Sequence, residues 1–301
     1  MDGILIIDKP AGITSHDVVA RVRRALKTRR VGHTGTLDPF ATGVMVVLVG
    51  KATRLAQFLD KDEKEYEANV RFGFETETGD VTGSRTPDSG LRNEDVAAML
   101  DKVDWVSVLQ KFRGEIQQVP PMYSAKKVDG KKLYELARKG IEIERNAVTV
   151  SIHKLEIVAS EFRTPYTALR IRVACSAGTY IRTLAEDIGR AVGLGAHLTE
   201  LRRTMAGRFA IGDAVSLDEL MSSDDPYAFL RPVREAVEHL PVFELREDRV
   251  EKTRNGMSTR DLSGRFCDGE TVQMIDASGE LIAVGTFVDS EKVIQPRVVL
   301  G

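Results

Sequence analysis

The sequence predicts a mixed α+β domain over residues 1–238, followed by a small β-barrel-like module over residues 239–301. Strand-like and helical patterns are interleaved in the first region without a regular βαβ repeat. Prolines and acidic residues then mark a change of composition around residues 223–241. Beyond that point, short β-prone runs alternate with glycine and aspartate turns, a pattern typical of a small barrel.

Strands and helices alternate in the first part of the chain. Residues 3–10 form a short β-prone run, which ends at Pro10 because proline cannot donate to a central ladder. Residues 14–27 are predicted to be helical, with apolar residues at helical spacing and Thr14 or Ser15 as the N-cap. The next expected elements are a buried strand over 44–50, a helix over 51–59, a strand over 64–76, a turn-rich loop over 75–90 and a helix over 93–103.

The second part of the chain continues this mixture. Residues 120–140 pass through an Asp-Gly turn into a short helix that ends at Gly140. Residues 178–195 predict an amphipathic helix because their apolar residues fall on one stripe. The remaining strands are expected over 147–158 and 166–176, and, in the C-terminal module, over 270–277, 280–288 and 293–300.

Composition limits the class of protein. With 301 residues, 42% hydrophobic and 29% charged, the chain is typical of a soluble globular protein. It has no apolar run near the roughly 20 residues that span a bilayer, and its N-terminus lacks the basic leader of a signal peptide. The two cysteines are far apart and give no disulfide framework. A cytoplasmic location is therefore expected.

Basic residues are unevenly distributed although the net charge is only −2. Residues 21–30 contain six basic residues and no acid, and residues 123–140 contain six basic residues and two acids. Residues 201–208 add three more basic residues. Each run alone is compatible with a solvated helix face, but together they favour a polyanionic ligand bound on one side.

The segment GHTGTLDPFATG, residues 32–43, is the strongest local signal. Its glycines lack the spacing of a Walker A loop or of a dinucleotide fingerprint, and the five histidines of the chain are too scattered for a zinc site. What remains is Asp38 in a glycine-rich loop that Pro39 stiffens. A carboxylate held in this way could act as a nucleophile or as a general base.

This segment resembles the signature of the TruB family of pseudouridine synthases. Other segments of that family appear in the expected order along the chain, and no residue departs from the family pattern at a position used for chemistry. These are LIIDKPAGITS at 5–15, KEYEANVRFG at 64–73, PPMYSAKKVDGKKLYELARKG at 120–140 and CSAGTYIRTLAEDIG with GAHLTELRRT at 175–204. The resemblance implies a central mixed or antiparallel sheet flanked by helices, and the last 63 residues resemble a PUA-like RNA-binding module less sharply.

The resemblance also implies an activity and a nucleophile. Family members isomerise uridine 55 in the T loop of tRNA to pseudouridine, with no cofactor and no metal. Asp38 matches the family nucleophile, and the sequence leaves open whether it attacks the ribose or the base. Arg182 matches the arginine that pairs with this aspartate, and a neighbouring guanidinium typically lowers an aspartate pKa by about 1–3 units.

The same resemblance implies roles for further residues. Tyr66 matches a tyrosine that stacks on the flipped base and is a candidate to help move the C5 proton. Tyr180 and Leu201 match residues that line the base pocket. His33 matches a histidine that helps to open the T loop and fills the space left by the extruded base. Lys9 is assigned to the substrate site, where we expect it to shape the pocket floor.

The basic runs are then expected to contact tRNA phosphates, which position an RNA without reading its bases. The predicted contacts are Arg23, Arg24, Arg30, Lys126, Lys127, Lys131, Lys132 and Arg202. The partner is the T arm of tRNA, bound by a monomer that needs no protein partner. Two alternatives compete with this function: a guide-RNA-dependent, dyskerin-like enzyme, against which the long 120–145 segment argues, and a non-catalytic RNA-binding protein or tRNA-folding chaperone.

Overall fold

The computed structural model describes residues 2–60, 62–86, 92–124, 127–128, 131–137, 139–163 and 166–300. Within those ranges, no helix combines the length and apolarity needed to cross a bilayer. The strands are β1 (Gly3–Lys9), β2 (Val31–Thr34), β3 (Thr42–Val49), β4 (Lys64–Phe72), β5 (Gly114–Gln118), β6 (Lys127–Val128), β7 (Lys131–Lys132), β8 (Val148–Arg163), β9 (Tyr166–Cys175), β10 (Ala196–Ala206), β11 (Phe209–Ala210), β12 (Val215–Ser216), β13 (Val242–Glu244), β14 (Thr259–Arg260), β15 (Thr271–Ile275), β16 (Leu281–Val288) and β17 (Val293–Val299). The α-helices are α1 (Ser15–Ala25), α2 (Ala56–Leu59), α3 (Asn93–Leu100), α4 (Trp105–Gln110), α5 (Leu133–Ala137), α6 (Ile181–Ala191), α7 (Leu217–Ser222) and α8 (Glu247–Arg254).

A ten-stranded mixed sheet forms the centre of the molecule. Its main path runs β12-β1-β3-β10-β4-β9-β8-β5, with β2 paired to β3 and β11 paired to β10. The β1–β12 and β3–β10 pairs are parallel and the other pairs are antiparallel. Helices pack against this sheet, so the predicted α+β class with a central mixed sheet is confirmed.

Most residues of β1 and β3 are apolar, and both faces of these two strands are buried. Ile4 and Ile6 of β1 point into one core cluster, whereas Leu5 and Ile7 point into another on the opposite side. A strand that is covered on both faces has a nearly continuous hydrophobic sequence, and for this reason the sequence predicted both strands.

Helix α1 covers one side of these strands. Val18 and Val22 are fully buried in the same cluster as β1 and β3. Thr14 is the N-cap: its hydroxyl accepts from the Asp17 amide while the Asp17 carboxylate accepts from the Thr14 amide. This reciprocal capping box fixes where the helix begins.

The other half of the sheet has one buried face and one polar face. Ala68, Val70 and Phe72 of β4 pack with α3, α4 and α6 in a third core cluster. On the opposite face, Glu67 of β4 accepts hydrogen bonds from Arg170 and Arg172 of β9, each at 2.7 Å. This alternation is the period-2 pattern of a half-buried sheet.

Several elements differ from the sequence expectation. The helix expected over 51–59 is a 3₁₀ turn over Gly50–Leu55 that leads into the short α2. Strands β2, β5 and β10 and helices α4 and α8 were not predicted. β10 matters most, because it lies between β3 and β4 at the centre of the sheet.

The C-terminal residues form a second sheet. Its five strands follow the order β13-β15-β16-β17-β14 and enclose their own apolar cluster, which includes Phe243, Phe266 and Phe287. Ile275 and Val298 also join the cluster beneath β1 and β3, so this sheet packs against the larger one. The larger sheet ends before Val242, and the boundary at residue 239 stays a prediction.

Gly43 lets β3 and β10 approach each other closely. Its φ of +104° lies in the region that favours glycine, and a Cβ built on it would lie 2.1 Å from the backbone oxygen of Arg203. The neighbour that approaches this glycine closely is therefore the chain's own backbone at Arg203. It places Arg203 beside the loop that carries Asp38.

We expect Gly43→Ala to lower the free energy of unfolding by at least about 2 kcal/mol, because it adds both a strained φ and a backbone clash. Urea unfolding followed by circular dichroism measures this. Gly212→Ala is the control and should change the value by less than about 0.5 kcal/mol, since nothing lies within 4 Å of its Cβ position. Equal effects of the two substitutions would contradict this account.

Candidate active site

The loop that carries Asp38 is supported from below by Lys9. The Lys9 ammonium donates to three backbone carbonyls, those of Pro10 at 3.0 Å, Pro39 at 3.2 Å and Ala41 at 2.6 Å. Lys9 is fully buried, and this burial lowers its pKa to about 8. Lys9 therefore supports the Asp38 loop, and its assignment to the substrate site stays a prediction.

A second anchor of the loop comes from α1. The Leu37 amide donates to Ser15 Oγ at 2.9 Å, and the same hydroxyl donates to the Leu37 carbonyl at 3.1 Å. The Gly12 amide donates to the Pro39 carbonyl at 2.8 Å. Because its neighbours on both sides are tied to the core in this way, Asp38 is held by the backbone.

Asp38 and Arg182 form a two-point ion pair. Arg182 Nε lies 2.9 Å from Asp38 Oδ2, and Arg182 Nη2 donates to Asp38 Oδ1 at 3.1 Å. The guanidinium also donates to the carbonyls of Thr78 at 2.7 Å and Tyr123 at 2.8 Å. Arg182 is only 4% exposed, so its charge is neutralised within the protein. The predicted pairing of these two residues is thus present in the geometry.

Asp80 is a third charged member of this group, and the sequence analysis missed it. Its carboxylate lies 3.9 Å from Arg182 Nε and is 6% exposed. Asp80 Oδ1 accepts from the hydroxyls of Thr78 and Thr82 and from the Thr82 amide. Its position in a turn-rich loop gives it the appearance of an ordinary turn aspartate, which is why nothing in the sequence distinguished it.

Burial raises the pKa of the Asp38 carboxyl above its usual range. The Arg182 guanidinium opposes this shift and the Asp80 carboxylate adds to it. The resemblance implied a neighbouring arginine that would lower this pKa. The arginine does act in that direction, but desolvation of the carboxylate outweighs it.

Tyr66 and Arg203 are adjacent across the sheet. They are register partners in the β4–β10 pair, and both line a cavity of about 230 Å³ next to Asp38. Arg203 is 1% exposed and donates to the carbonyls of Val44 at 2.6 Å and Gly35 at 2.9 Å. Burial raises the pKa of the Tyr66 phenol, and Arg203 opposes the shift by its charge and by a hydrogen bond. Arg203 therefore positions both Tyr66 and the Asp38 loop. The sequence did not indicate that Arg203 is buried, because it lies in a run of basic residues.

Tyr180 and Leu201 line the same cavity as Asp38, Tyr66 and Arg182. Tyr180 is the residue before α6, and its backbone is fixed by two hydrogen bonds to the buried Gln118 amide, at 3.0 and 3.2 Å. Five of the predicted site residues thus surround one space. A second cavity of about 660 Å³ adjoins it and shares the walls at Asp38 and Arg182.

His33 lies apart from these residues. It sits on β2, its ring centroid 5.7 Å from that of His16 in an edge-on contact, and neither cavity is lined by it. His33 Nδ1 is buried and has no hydrogen-bond partner among the described residues. Burial, together with the nearby His16 and Arg203, lowers the pKa of His33, which favours its neutral form.

The predicted phosphate contacts differ in how they are placed. Arg23 donates to the Val31 carbonyl at 2.9 Å, and Arg30 donates to the Thr53 hydroxyl at 3.3 Å. Arg202 forms a two-point pair with Asp8, at 3.1 and 2.7 Å. Arg24 is exposed, and its guanidinium makes no hydrogen bond or ion pair within the described part of the chain. The contacts predicted for Lys126, Lys127, Lys131 and Lys132 fall outside the described residues and side chains.

Comparison with protein-family models identifies the family. The model described as TruB family pseudouridylate synthase (N terminal domain) matches residues 23–181, more than half of the 301-residue chain. The chain belongs to the TruB family of pseudouridylate synthases. The adjoining residues 182–238 match the model described as tRNA pseudouridylate synthase B C-terminal domain.

Individual relatives agree with this family. The tRNA pseudouridine synthase B of Geobacillus thermodenitrificans is 44% identical over 269 residues, covering 86% of each chain. That of Heliobacterium modesticaldum is 41% identical over 301 residues, covering 99% of this chain and 95% of the relative. The resemblance read from five sequence motifs is therefore confirmed.

Solved structures share the fold. A chain in the crystal structure of a Cbf5-Nop10-Gar1 complex is 27% identical, with a TM-score of 0.73 over 99% of this chain and 84% of that one. A chain of an H/ACA RNP bound to a substrate RNA containing 2′-deoxyuridine is 25% identical, with a TM-score of 0.71 and coverage of 99% and 85%. These matches confirm the pseudouridine synthase fold.

The raised pKa of Asp38 predicts how kcat/KM falls on the acid side of its pH profile. If Asp38 is the nucleophile, its carboxylate must be ionised, and kcat/KM for the TruB-family reaction should then fall with decreasing pH through a pKa above the usual value of about 3.9. Asp80→Asn removes the like charge that raises the pKa of Asp38, and it should move this limb to lower pH.

Measuring kcat/KM against pH for both proteins tests this expectation. Glu94→Gln removes the same charge from an exposed side chain of α3 and should leave the limb in place. A limb that moves upward in Asp80→Asn, or moves equally in Glu94→Gln, would contradict the assignment.

Proposed function

We propose that this protein isomerises uridine 55 in the T loop of tRNA to pseudouridine, with Asp38 as the nucleophile. The observation that carries the proposal is the two-point pair between Asp38 and the buried Arg182, in the wall of a cavity that Tyr66 and Tyr180 also line. Its relatives at 39–48% identity bear the name tRNA pseudouridine synthase B. Family membership and site geometry therefore point to the same reaction.

The cavity residues support a reaction in which the base leaves the RNA stack. A flipped uracil needs a flat apolar surface, and base-aromatic stacking is worth about 1–3 kcal/mol. Tyr66 supplies a phenol ring held in place by Arg203, and Leu201 adds an apolar wall. Asp38 then attacks the ribose or the base, and the N1–C1′ glycosidic bond breaks. The base turns and forms a C5–C1′ bond, and the bond to Asp38 breaks to release the carboxylate. C5 loses its proton and N1 gains one, so the product is an isomer of the substrate.

Arg182 contributes by fixing the nucleophile. Two donors on one carboxylate orient both of its oxygens and favour the ionised form. The remaining donors of the guanidinium hold the backbone at Thr78 and Tyr123, so the arginine is itself immobilised. An ionised carboxylate in a fixed orientation is what attack on a bound nucleotide requires.

Two other functions are less well supported. The structural relatives come from Cbf5 and H/ACA assemblies, but the curated relatives of higher identity are named as tRNA enzymes, which favours a stand-alone activity. A purely RNA-binding protein would not need a desolvated aspartate paired with a buried arginine. Assistance of tRNA folding is compatible with catalysis and does not replace it.

Tritium release from tRNA transcripts labelled at C5 of uridine tests the proposal. The wild-type protein should release one tritium per tRNA, and Asp38→Asn should lower the rate by at least about 1,000-fold because the nucleophile is lost. Replacing uridine 55 by cytidine should abolish release at that position. A binding assay on Asp38→Asn controls for loss of the fold, since the variant should still bind tRNA.

Two results would overturn parts of this proposal. Near wild-type release by Asp38→Asn would remove Asp38 as the nucleophile. Undiminished release from the transcript with cytidine 55 would show that another uridine is the target.

Phosphate contacts are tested through the salt dependence of tRNA binding. If Arg24 contacts a phosphate, Arg24→Ala should weaken binding and reduce the slope of log K against log salt by about 1. Arg92→Ala removes the same charge from a residue that is paired with Asp95 on α3, and it serves as the control. Equal slopes for the wild type and Arg24→Ala would exclude Arg24 from the interface.

A further inference from the structure

We propose that the side-chain hydroxyl of Ser124 hydrogen-bonds the target nucleotide and contributes to substrate selection. The inference rests on the proposed function and adds a residue that neither the loop nor the Asp38–Arg182 pair includes. It starts from an unusual polar group in the wall of the site. Ser124 is 5% exposed, and its Oγ atom is buried with no hydrogen-bond partner among the described residues.

The Ser124 side chain lies where a substrate must be. It lines both the smaller cavity next to Tyr66 and the larger cavity beside it, and Asp38 and Arg182 do the same. A buried hydroxyl without a partner costs about 1–3 kcal/mol. Such a cost is expected where a bound ligand supplies the missing hydrogen bond.

The backbone at Ser124 is fixed relative to the nucleophile. The Tyr134 amide donates to the Ser124 carbonyl at 3.1 Å. The preceding carbonyl, that of Tyr123, accepts from Arg182 Nη2 at 2.8 Å, and the same nitrogen donates to Asp38. The hydroxyl therefore has a defined position with respect to the carboxylate before any substrate arrives.

The chemistry of a hydroxyl indicates the kind of group it recognises. Serine both donates and accepts, and it carries no charge that would compete with Arg182 for Asp38. Its complement is a neutral polar group that likewise donates or accepts. On a flipped uridine, such groups are the ribose 2′-hydroxyl and the polar edge of uracil.

Ser124→Ala tests whether the Ser124 hydroxyl serves substrate binding or the stability of the fold. Removing an unsatisfied hydroxyl should leave the urea midpoint of the free protein unchanged or higher, while kcat/KM for tRNA falls about 3- to 10-fold. Ser107→Ala is the matched control, because its exposed hydroxyl is paired with Asp104 at 2.6 Å on α4. That control should keep kcat/KM and lose, if anything, a little stability.

An inhibitor identifies the group that Ser124 contacts. A tRNA carrying 2′-deoxyuridine at position 55 is tested as a competitive inhibitor of the wild type and of Ser124→Ala. Equal inhibition constants for the two proteins would show that Ser124 contacts the ribose 2′-hydroxyl, because the inhibitor lacks that group. A 3- to 10-fold weaker inhibition of the variant, as expected for one lost hydrogen bond, would place it on the uracil edge.

The outcomes distinguish this inference from the proposed function. If the wild type releases no tritium from tRNA, the proposed function fails and the inference fails with it. If the wild type is active and Ser124→Ala keeps kcat/KM within twofold, the hydroxyl is only solvated and this inference alone is wrong. A fall in activity accompanied by an equivalent loss of stability would likewise assign Ser124 to the fold.

Discussion

The organisation of the site follows from the burial of one cation. Arg182 is almost fully removed from solvent, and an unpaired charge in that position would cost several kcal/mol. Its neutralisation brings together the Asp38 loop, the Thr78–Asp80 turn and the chain at Tyr123. The contacts that neutralise the buried Arg182 also orient the Asp38 carboxylate. The stability of the fold and the pre-organisation of the site therefore have a common cause.

Strand β10 connects this charged group with the apolar pocket. Leu201 and Arg203 point into the site from the centre of the sheet, between β3 and β4. Because the strands on both sides hold β10 in register, neither side chain depends on a loop for its position. A site carried on a central strand is positioned more exactly than one carried on loops alone.

The sequence predicted those parts of the fold that depend on interactions between residues close together in the chain. Apolar runs predicted β1 and β3 because both of their faces are buried, and the loop around Asp38 was visible from its glycines and proline. β10 was hidden, since a buried arginine in a basic run looks like a solvated surface. Asp80 was hidden for a related reason: only the folded chain places this turn residue beside Arg182.

The functions of Arg182 and Tyr66 could be named only through the resemblance to a family. Their residue types and local spacing are those of an ordinary helix and an ordinary strand, and their partners are distant in sequence. Burial also changed an electrostatic expectation, because desolvation of Asp38 outweighs the attraction of its arginine. The resemblance predicted which two residues pair, whereas it did not predict the dielectric environment of the pair.

The parallel pairing of β3 with β10 joins Thr42 to Arg202, so the centre of the sheet is assembled from chain segments about half the protein apart. Such long-range pairing is slow to form, because loop closure precedes any gain from the contact. During synthesis, β1 and β3 emerge long before the strand that completes their sheet. The edge of β3 at Thr42 and Gly43 therefore has no strand partner until β10 has emerged, and the pocket that Leu201 and Arg203 line is completed only then. Catalytic competence is thus a property that the chain acquires late in its own production.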